Sequence, residues 1–187
     1  MNPQLVLLAG PNGAGKSSFY EVHLKGLQAP FLNADNVARD LGVADYEASQ
    51  MLDEMRAFYI ERRVGFISET VFSDRVGAKV AMLRAAMAAG FDVRLVYIGL
   101  ENAALSQARV KHRVDNGGHP VPADKIVARY PRSLANLAEA VKFVSVAEIF
   151  DNSDRENPHR LLARFEAGVL KWKTTDLVPA WAQPLLG

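Results

Sequence analysis

The feature that most constrains this chain is a glycine-rich run, Gly10-Pro11-Asn12-Gly13-Ala14-Gly15-Lys16-Ser17, set between an apolar stretch, Leu5 to Ala9, and a helical pattern that begins at Lys16. The run satisfies G-x-x-x-x-G-K-[ST] in the context that pattern requires, a strand before it and a helix after it. The spacing follows from the work such a loop does. Glycines let the backbone curl with its N–H groups inward, and the helix that follows turns the positive end of its dipole toward an anion. The Lys16 ammonium then reaches the outer phosphates of a triphosphate, and the Ser17 hydroxyl is placed to ligand Mg2+. Gly10, Pro11, Asn12, Gly13, Ala14, Gly15, Lys16, Ser17 and Ser18 are therefore the expected cradle for ATP with Mg2+.

Short apolar runs separated by longer helical patterns continue the theme of an open α/β sheet. After Leu5 to Ala9 come Phe31 to Asn33, Gly65 to Glu69, Val93 to Gly99 and Lys142 to Phe150 as strands. Helical patterns cover Lys16 to Lys25 with Gly26 as a stop, Tyr46 to Arg63, and Ala78 to Ala89 closed by Gly90. In the second of these, Met51, Leu52, Met55, Phe58 and Tyr59 share one face. The expected fold is a three-layer α/β/α sandwich on a five-stranded parallel sheet, a single domain over 1–187. A helical lid is expected over roughly 101–141, interrupted by the turn-rich Asp115 to Pro122. The extension 158–187 carries a small hairpin, Leu161 to Phe165 and Val169 to Trp172, expected to pack on the edge.

Composition narrows the class of protein. With 22 Lys plus Arg against 21 Asp plus Glu, no global field marks the chain as a nucleic-acid or anionic-membrane binder. There is no cysteine, which excludes disulfides, thiolate metal sites and cysteine nucleophiles. The N-terminus lacks a basic segment, and its apolar run is too short for a signal peptide or a membrane span, so a cytoplasmic location is expected.

In open α/β sheets the ligand crevice lies at the carboxyl ends of the strands. Asp35 follows the second strand and Glu69 ends the third, so both carboxylates are expected near the γ-phosphate. Such a carboxylate can take or orient the proton of an attacking hydroxyl, and a second can organise Mg2+ through water. Asp35 reads equally as the N-cap of a helix from Asn36 to Leu41, and Glu69 as a solvated strand end. Thr70 and Ser68 are weaker candidates for substrate hydrogen bonds. Arg109 and Arg113 lie four apart on one helical face, and Arg129, Arg132 and His119 lie in the same region. Guanidinium groups suit the charge of a transferring phosphoryl group, whereas solvated decoration is their commoner fate, and His119 beside two glycines reads as readily as a turn residue.

Together these residues resemble the zeta-toxin family of P-loop kinases, over Gly10 to about Leu137. The resemblance is carried by the P-loop, Asn33-Ala34-Asp35, Ser68-Glu69-Thr70, and the stretch from Arg113-Val114 through Gly117-Gly118-His119-Pro120-Val121-Pro122 to Arg129-Tyr130 and Arg132-Ser133-Leu134. It implies a kinase acting on a sugar nucleotide or small metabolite, with Asp35 as general base, Lys16 and Ser17 on nucleotide and Mg2+, Glu69 on the acceptor side, and lid arginines, Arg113 foremost, on the phosphates. It also implies an antitoxin protein as a partner. The chain is shorter than the best-characterised members, and its Gly-Gly-His-x-Val-Pro loop differs from theirs. Two other readings stand beside this one. One is a nucleotide-dependent regulatory module with weak ATPase activity. The other is a polynucleotide 5′-hydroxyl kinase, kept open by the cluster Arg109, Lys111, His112 and Arg113.

Overall fold

Apolar runs alternate sides when they fold as strands, and here both sides are covered. In the computed structural model, which describes residues 2–75 and 77–186, β1 (Gln4–Ala9) sends Leu5, Leu7 and Ala9 into one buried cluster and Val6 and Leu8 into another. β4 (Asp92–Gly99) does the same, with Val93, Leu95 and Tyr97 on the first side and Val96 and Ile98 on the second. A continuous apolar run is the sequence that a strand buried on both faces requires.

Between these strands lie α1 (Lys16–Phe19), β2 (Phe31–Leu32), α2 (Ala34–Leu41), α3 (Asp45–Glu61), β3 (Phe66–Thr70) and α4 (Ala78–Ala88). After β4 come α5 (Ala103–Asp115), α6 (Ala123–Ala140), β5 (Val146–Asp151), β6 (Arg160–Glu166), β7 (Val169–Lys173) and α7 (Gln183–Leu186). The strand order is β2-β3-β1-β4-β5-β6-β7. The first five strands pair in parallel, and β6 and β7 pair antiparallel. The sheet thus has seven strands, not the expected five, because the hairpin lies at the sheet edge, as expected, and continues the ladder of β5. No helix among the described residues is long and apolar enough to cross a membrane.

Four local expectations are corrected. The helix after the glycine-rich loop is regular only to Phe19. It then widens into a π turn, Tyr20–Leu24, and tightens over Lys25–Leu27, so the chain reverses at Gln28, with φ 51°, and not at Gly26. β5 begins at Val146, since residues 141–145 form a turn and a bend after α6. In α3 the buried side chains are Ala48, Leu52 and Arg56, while Met55 and Phe58 are exposed. Finally, α2 is capped by Asn33, whose side chain accepts from the Asn36 N–H at 3.0 Å. Asp35 therefore sits inside the first helical turn and is released from any capping duty.

Candidate active site

Three strand ends and one helix pair enclose the site. The glycine-rich loop leaves β1 and passes under α5 and the turn after β5. Gly10 is at φ 145°, and a Cβ there would collide with the Ile98 carbonyl of the neighbouring strand. Gly15 is at φ 86°, where a Cβ would lie 2.5 Å from the Asn152 side-chain nitrogen. Both positions demand glycine, one for close strand approach and one for the left-handed turn into the helix.

The loop walls a cavity of about 320 Å3 together with the ends of β2, β3 and α5. Its lining includes Asn12, Gly13, Ala14, Gly15, Lys16, Ser17 and Ser18 from the loop, Asp35 beyond β2, Glu69 and Thr70 from β3, and Arg109 and Arg113 from α5. Gly10 and Pro11 contribute through their carbonyls, which accept from the Lys16 ammonium at 3.0 and 3.1 Å. Lys16 is buried, and Glu69 Oε1 lies 3.9 Å from its nitrogen. Burial pushes the ammonium below the usual lysine range, against the pull of Glu69 and Asp35. Burial likewise pushes the Glu69 carboxyl up, opposed by Lys16 and by the Asn33 amide that donates to Oε2 at 2.8 Å. A buried cation and a buried carboxylate that both pay for desolvation make a cavity primed for further negative charge on the lysine side.

The arginines of α5 are aimed differently. The Arg109 guanidinium donates to the Ser153 carbonyl at 3.0 Å, and its Nε is buried with no partner. The Arg113 guanidinium donates to the His119 carbonyl at 2.8 Å and lines a second cavity as well as the first. That second cavity, of about 650 Å3, is bounded by α2, the start of α3 and the α5–α6 loop, and Asp35 lines it too. His119 stands in its outer wall, 3.2 Å from Asp45 Oδ2. Arg129 and Arg132 line neither cavity. The inner face of α6 is taken by Ile126, Ser133, Leu137 and Ala140, and Tyr130 donates to the Leu100 carbonyl at 2.6 Å, which leaves the two arginines half-buried on the flanks. Ser68 is buried away from the site, accepting from Arg56 at 2.8 Å.

Among the described residues, no group of three or more His, Cys, Asp and Glu gathers into a metal cage. The Ser17 hydroxyl and the Asp35 and Glu69 carboxylates line one cavity, and oxygen donors of this kind suit an ion such as Mg2+ that takes its remaining ligands from phosphate oxygens and water.

Several residues that organise the site were given no role by the sequence. Asn33 both caps α2 and orients Glu69. Asn152, directly after β5, donates to the Ala14 carbonyl at 2.8 Å, and the His159 ring nitrogen lies 3.3 Å from the Gly15 carbonyl. Arg56 is buried behind β3, where it donates to Ser68 and to the Glu69 carbonyl at 3.3 Å while pairing with Asp53 at 2.7 Å. The rule that polar residues at strand ends border the crevice would have found Asn152. Nothing in the sequence marks Arg56, which lies mid-helix among other charged residues.

Comparison with known proteins agrees with this architecture. Residues 5–137 match the family described as AAA domain, AAA_33. An uncharacterized protein of Haemophilus influenzae is 28% identical over 135 residues, covering 70% of this chain and 94% of its own. Among solved structures, one from the PezAT toxin-antitoxin system of Streptococcus pneumoniae superposes with a TM-score of 0.58 at 15% identity, over 97% of this chain and 76% of that one. AvrRxo1-ORF1:-ORF2 with ATP superposes with a TM-score of 0.62 at 14% identity, over 99% of this chain and 63% of that one. The family match spans well over half the chain and the structural matches reproduce its layers: the chain belongs to the AAA domain family AAA_33, with the α/β fold that the resemblance implied, shared with the PezAT and AvrRxo1 structures.

Proposed function

We propose that the protein is an ATP- and Mg2+-dependent kinase that moves the γ-phosphate to a hydroxyl of a small-molecule acceptor. One observation carries this reading: Asp35 and Arg113 line both the phosphate cradle and the larger cavity beside it. A carboxylate and a guanidinium at the junction of two chambers are the pair that phosphoryl transfer between them needs. The acceptor hydroxyl gives its proton to Asp35 as its oxygen bonds to the γ-phosphorus. The bond from that phosphorus to the β–γ bridging oxygen breaks, and ADP leaves with the electron pair. Lys16 and Arg113 hold charge that spreads over the transferring oxygens, and Arg109 backs the nucleotide side. Mg2+, held through Ser17 and through water on Glu69, would supply further charge neutralisation on the phosphates. Thr70 has its hydroxyl engaged by the Phe72 N–H at 3.0 Å and contributes a fixed wall.

A module that only senses ATP needs no second chamber opening onto Asp35, and this favours the kinase reading. The likeness to a toxin-antitoxin system supports one companion expectation, an antitoxin protein as a partner. Asp35→Asn is expected to lower transfer at least about a hundredfold while calorimetry still detects ATP. Wild-type-like turnover by that variant would remove the assigned base. Lys16→Ala is expected to lose ATP affinity itself. Acceptors are found by searching a metabolite extract for masses that rise by one phosphate with protein, ATP and Mg2+, using Lys16→Ala as the blank.

A further inference from the structure

A trans peptide turns its carbonyl and the N–H that follows to opposite sides, so whatever holds a carbonyl outward turns the next N–H inward. No peptide bond among the described residues is cis. The Asn12 carbonyl accepts from the Ser106 hydroxyl of α5, and the Ala14 carbonyl accepts from the Asn152 amide at 2.8 Å. The Gly15 carbonyl accepts from the Phe19 N–H at 3.0 Å and has the His159 ring nitrogen at 3.3 Å. The N–H groups that follow these carbonyls, on Gly13, Gly15 and Lys16, make no hydrogen bond among the described residues, and all three residues line the phosphate cavity. Ser106, Asn152 and His159 do not line it, so they reach the loop from behind.

Both side-chain donors are committed to this contact. Ser106 is fully buried, and a serine within a helix commonly turns its hydroxyl back to the carbonyl four residues earlier; here the hydroxyl goes to the loop instead. Asn152 is nearly buried, and its amide is fixed end for end. Its Oδ1 accepts from the His159 N–H at 3.1 Å, while the Ala14 carbonyl can only accept, so the nitrogen must face the loop. His159 keeps that place at φ 54°, a left-handed angle that most side chains avoid.

Resting on the reading that the loop holds a triphosphate, we infer that Ser106 and Asn152 are positioning residues for the nucleotide, which aim the Gly13 and Gly15 N–H groups into the cavity before any phosphate arrives. A loop held in this way binds an anion without first having to be ordered. The role differs from that of Lys16 and Arg113, which bring charge. An N–H aimed at phosphates that are present before and during transfer stabilises both states alike, so losing it weakens donor binding and leaves the step at saturation unchanged.

The test is calorimetry with two probes, inorganic tripolyphosphate and a non-hydrolysable ATP analogue with Mg2+, on wild type, Ser106→Ala and Asn152→Asp. Ser106→Ala removes the hydroxyl with no change of charge. Asn152→Asp keeps the oxygen that accepts from His159 and removes the donor to Ala14. Both variants are expected to bind both probes at least about tenfold more weakly, and in transfer assays to raise KM for ATP by a similar factor with kcat unchanged. A merely structural role predicts that Ser106→Ala lowers Tm and keeps wild-type affinity for both probes, and that result overturns the inference while leaving a kinase. A fall in kcat at unchanged affinity overturns it also. Should Asn152→Asp fail to fold, Ser106→Ala decides alone. Weakened probe binding in Ser106→Ala, with no phosphate transfer by wild type to any compound of a metabolite extract, keeps the inference and overturns the kinase reading. Failure of wild type to bind either probe overturns both.

Discussion

Asn33 joins two tasks in one amide: its oxygen caps α2 and its nitrogen holds Glu69. Asn33→Ala is therefore expected to cost about 1 kcal/mol through the cap alone, and more where Glu69 is present than in a Glu69→Gln background, as a double-mutant cycle in denaturant would show. The Glu69 carboxyl itself sets a pH dependence. Burial raises its folded value above the ordinary 4.5. The folded protein therefore takes up this proton more readily than the unfolded chain does, and the resulting stability is full below that ordinary value and lost as pH rises through the raised one. Wild type and Glu69→Gln, which mimics the protonated carboxyl, are expected to have similar Tm in acid, with wild type falling relative to the variant as pH rises. The opposite slope would mean that Lys16 holds Glu69 ionised. At this scale the gathering of the glycine-rich loop around one cavity was legible because such a loop needs particular residue types at a particular spacing. Asn33 was legible only as a neighbour of Asp35, since Asn and Asp make equally good caps and the choice between them is settled by backbone angles.

Among the elements, α3 departs most from its sequence pattern. Period alone pointed to Met55 and Phe58 as core, yet they are exposed, and the inward position belongs to Arg56. A buried guanidinium is tolerated there because its donors are used on Ser68, the Glu69 carbonyl and Asp53, with Asp53 also paired to Lys79 of α4. Hydrophobic periodicity cannot register such a partner set, because two of the three acceptors come from β3, a different part of the chain. Arg56→Leu is expected to destabilise by about 2–3 kcal/mol, measured by chemical denaturation, and to lower transfer by loosening the end of β3 that carries Glu69 and Thr70. Strands β1 and β4 were legible almost to the residue, since two covered faces leave room only for apolar side chains. The fifth strand was placed early because an apolar run after a helix does not reveal where the turn ends.

For the whole molecule, the C-terminal segment belongs to the architecture of the site. β6 and β7 extend the sheet, and Trp181 then returns to lie against Gly99 at the end of β4, donating to Asp151 Oδ1 at 3.0 Å. Asp151 immediately precedes Asn152, the residue that holds the glycine-rich loop. Trp181→Ala is expected to cost about 3–5 kcal/mol and, in hydrogen exchange, to increase opening at residues 151–153 as well as near the substitution. The hairpin itself was legible from its turn, Glu166-Ala167-Gly168. Its pairing with β5 was not, since the polar connection between Asp151 and Arg160 carries no turn signature that fixes a ladder register. Arg113, standing where the two chambers meet, has a consequence for the order of events. On the proposed kinase reading, a side chain drawn toward one guest is already turned for the other, so the first molecule to arrive is expected to prepare the berth for the second. By thermodynamic reciprocity, whatever factor nucleotide adds to the grip on its co-substrate, the co-substrate returns to the nucleotide.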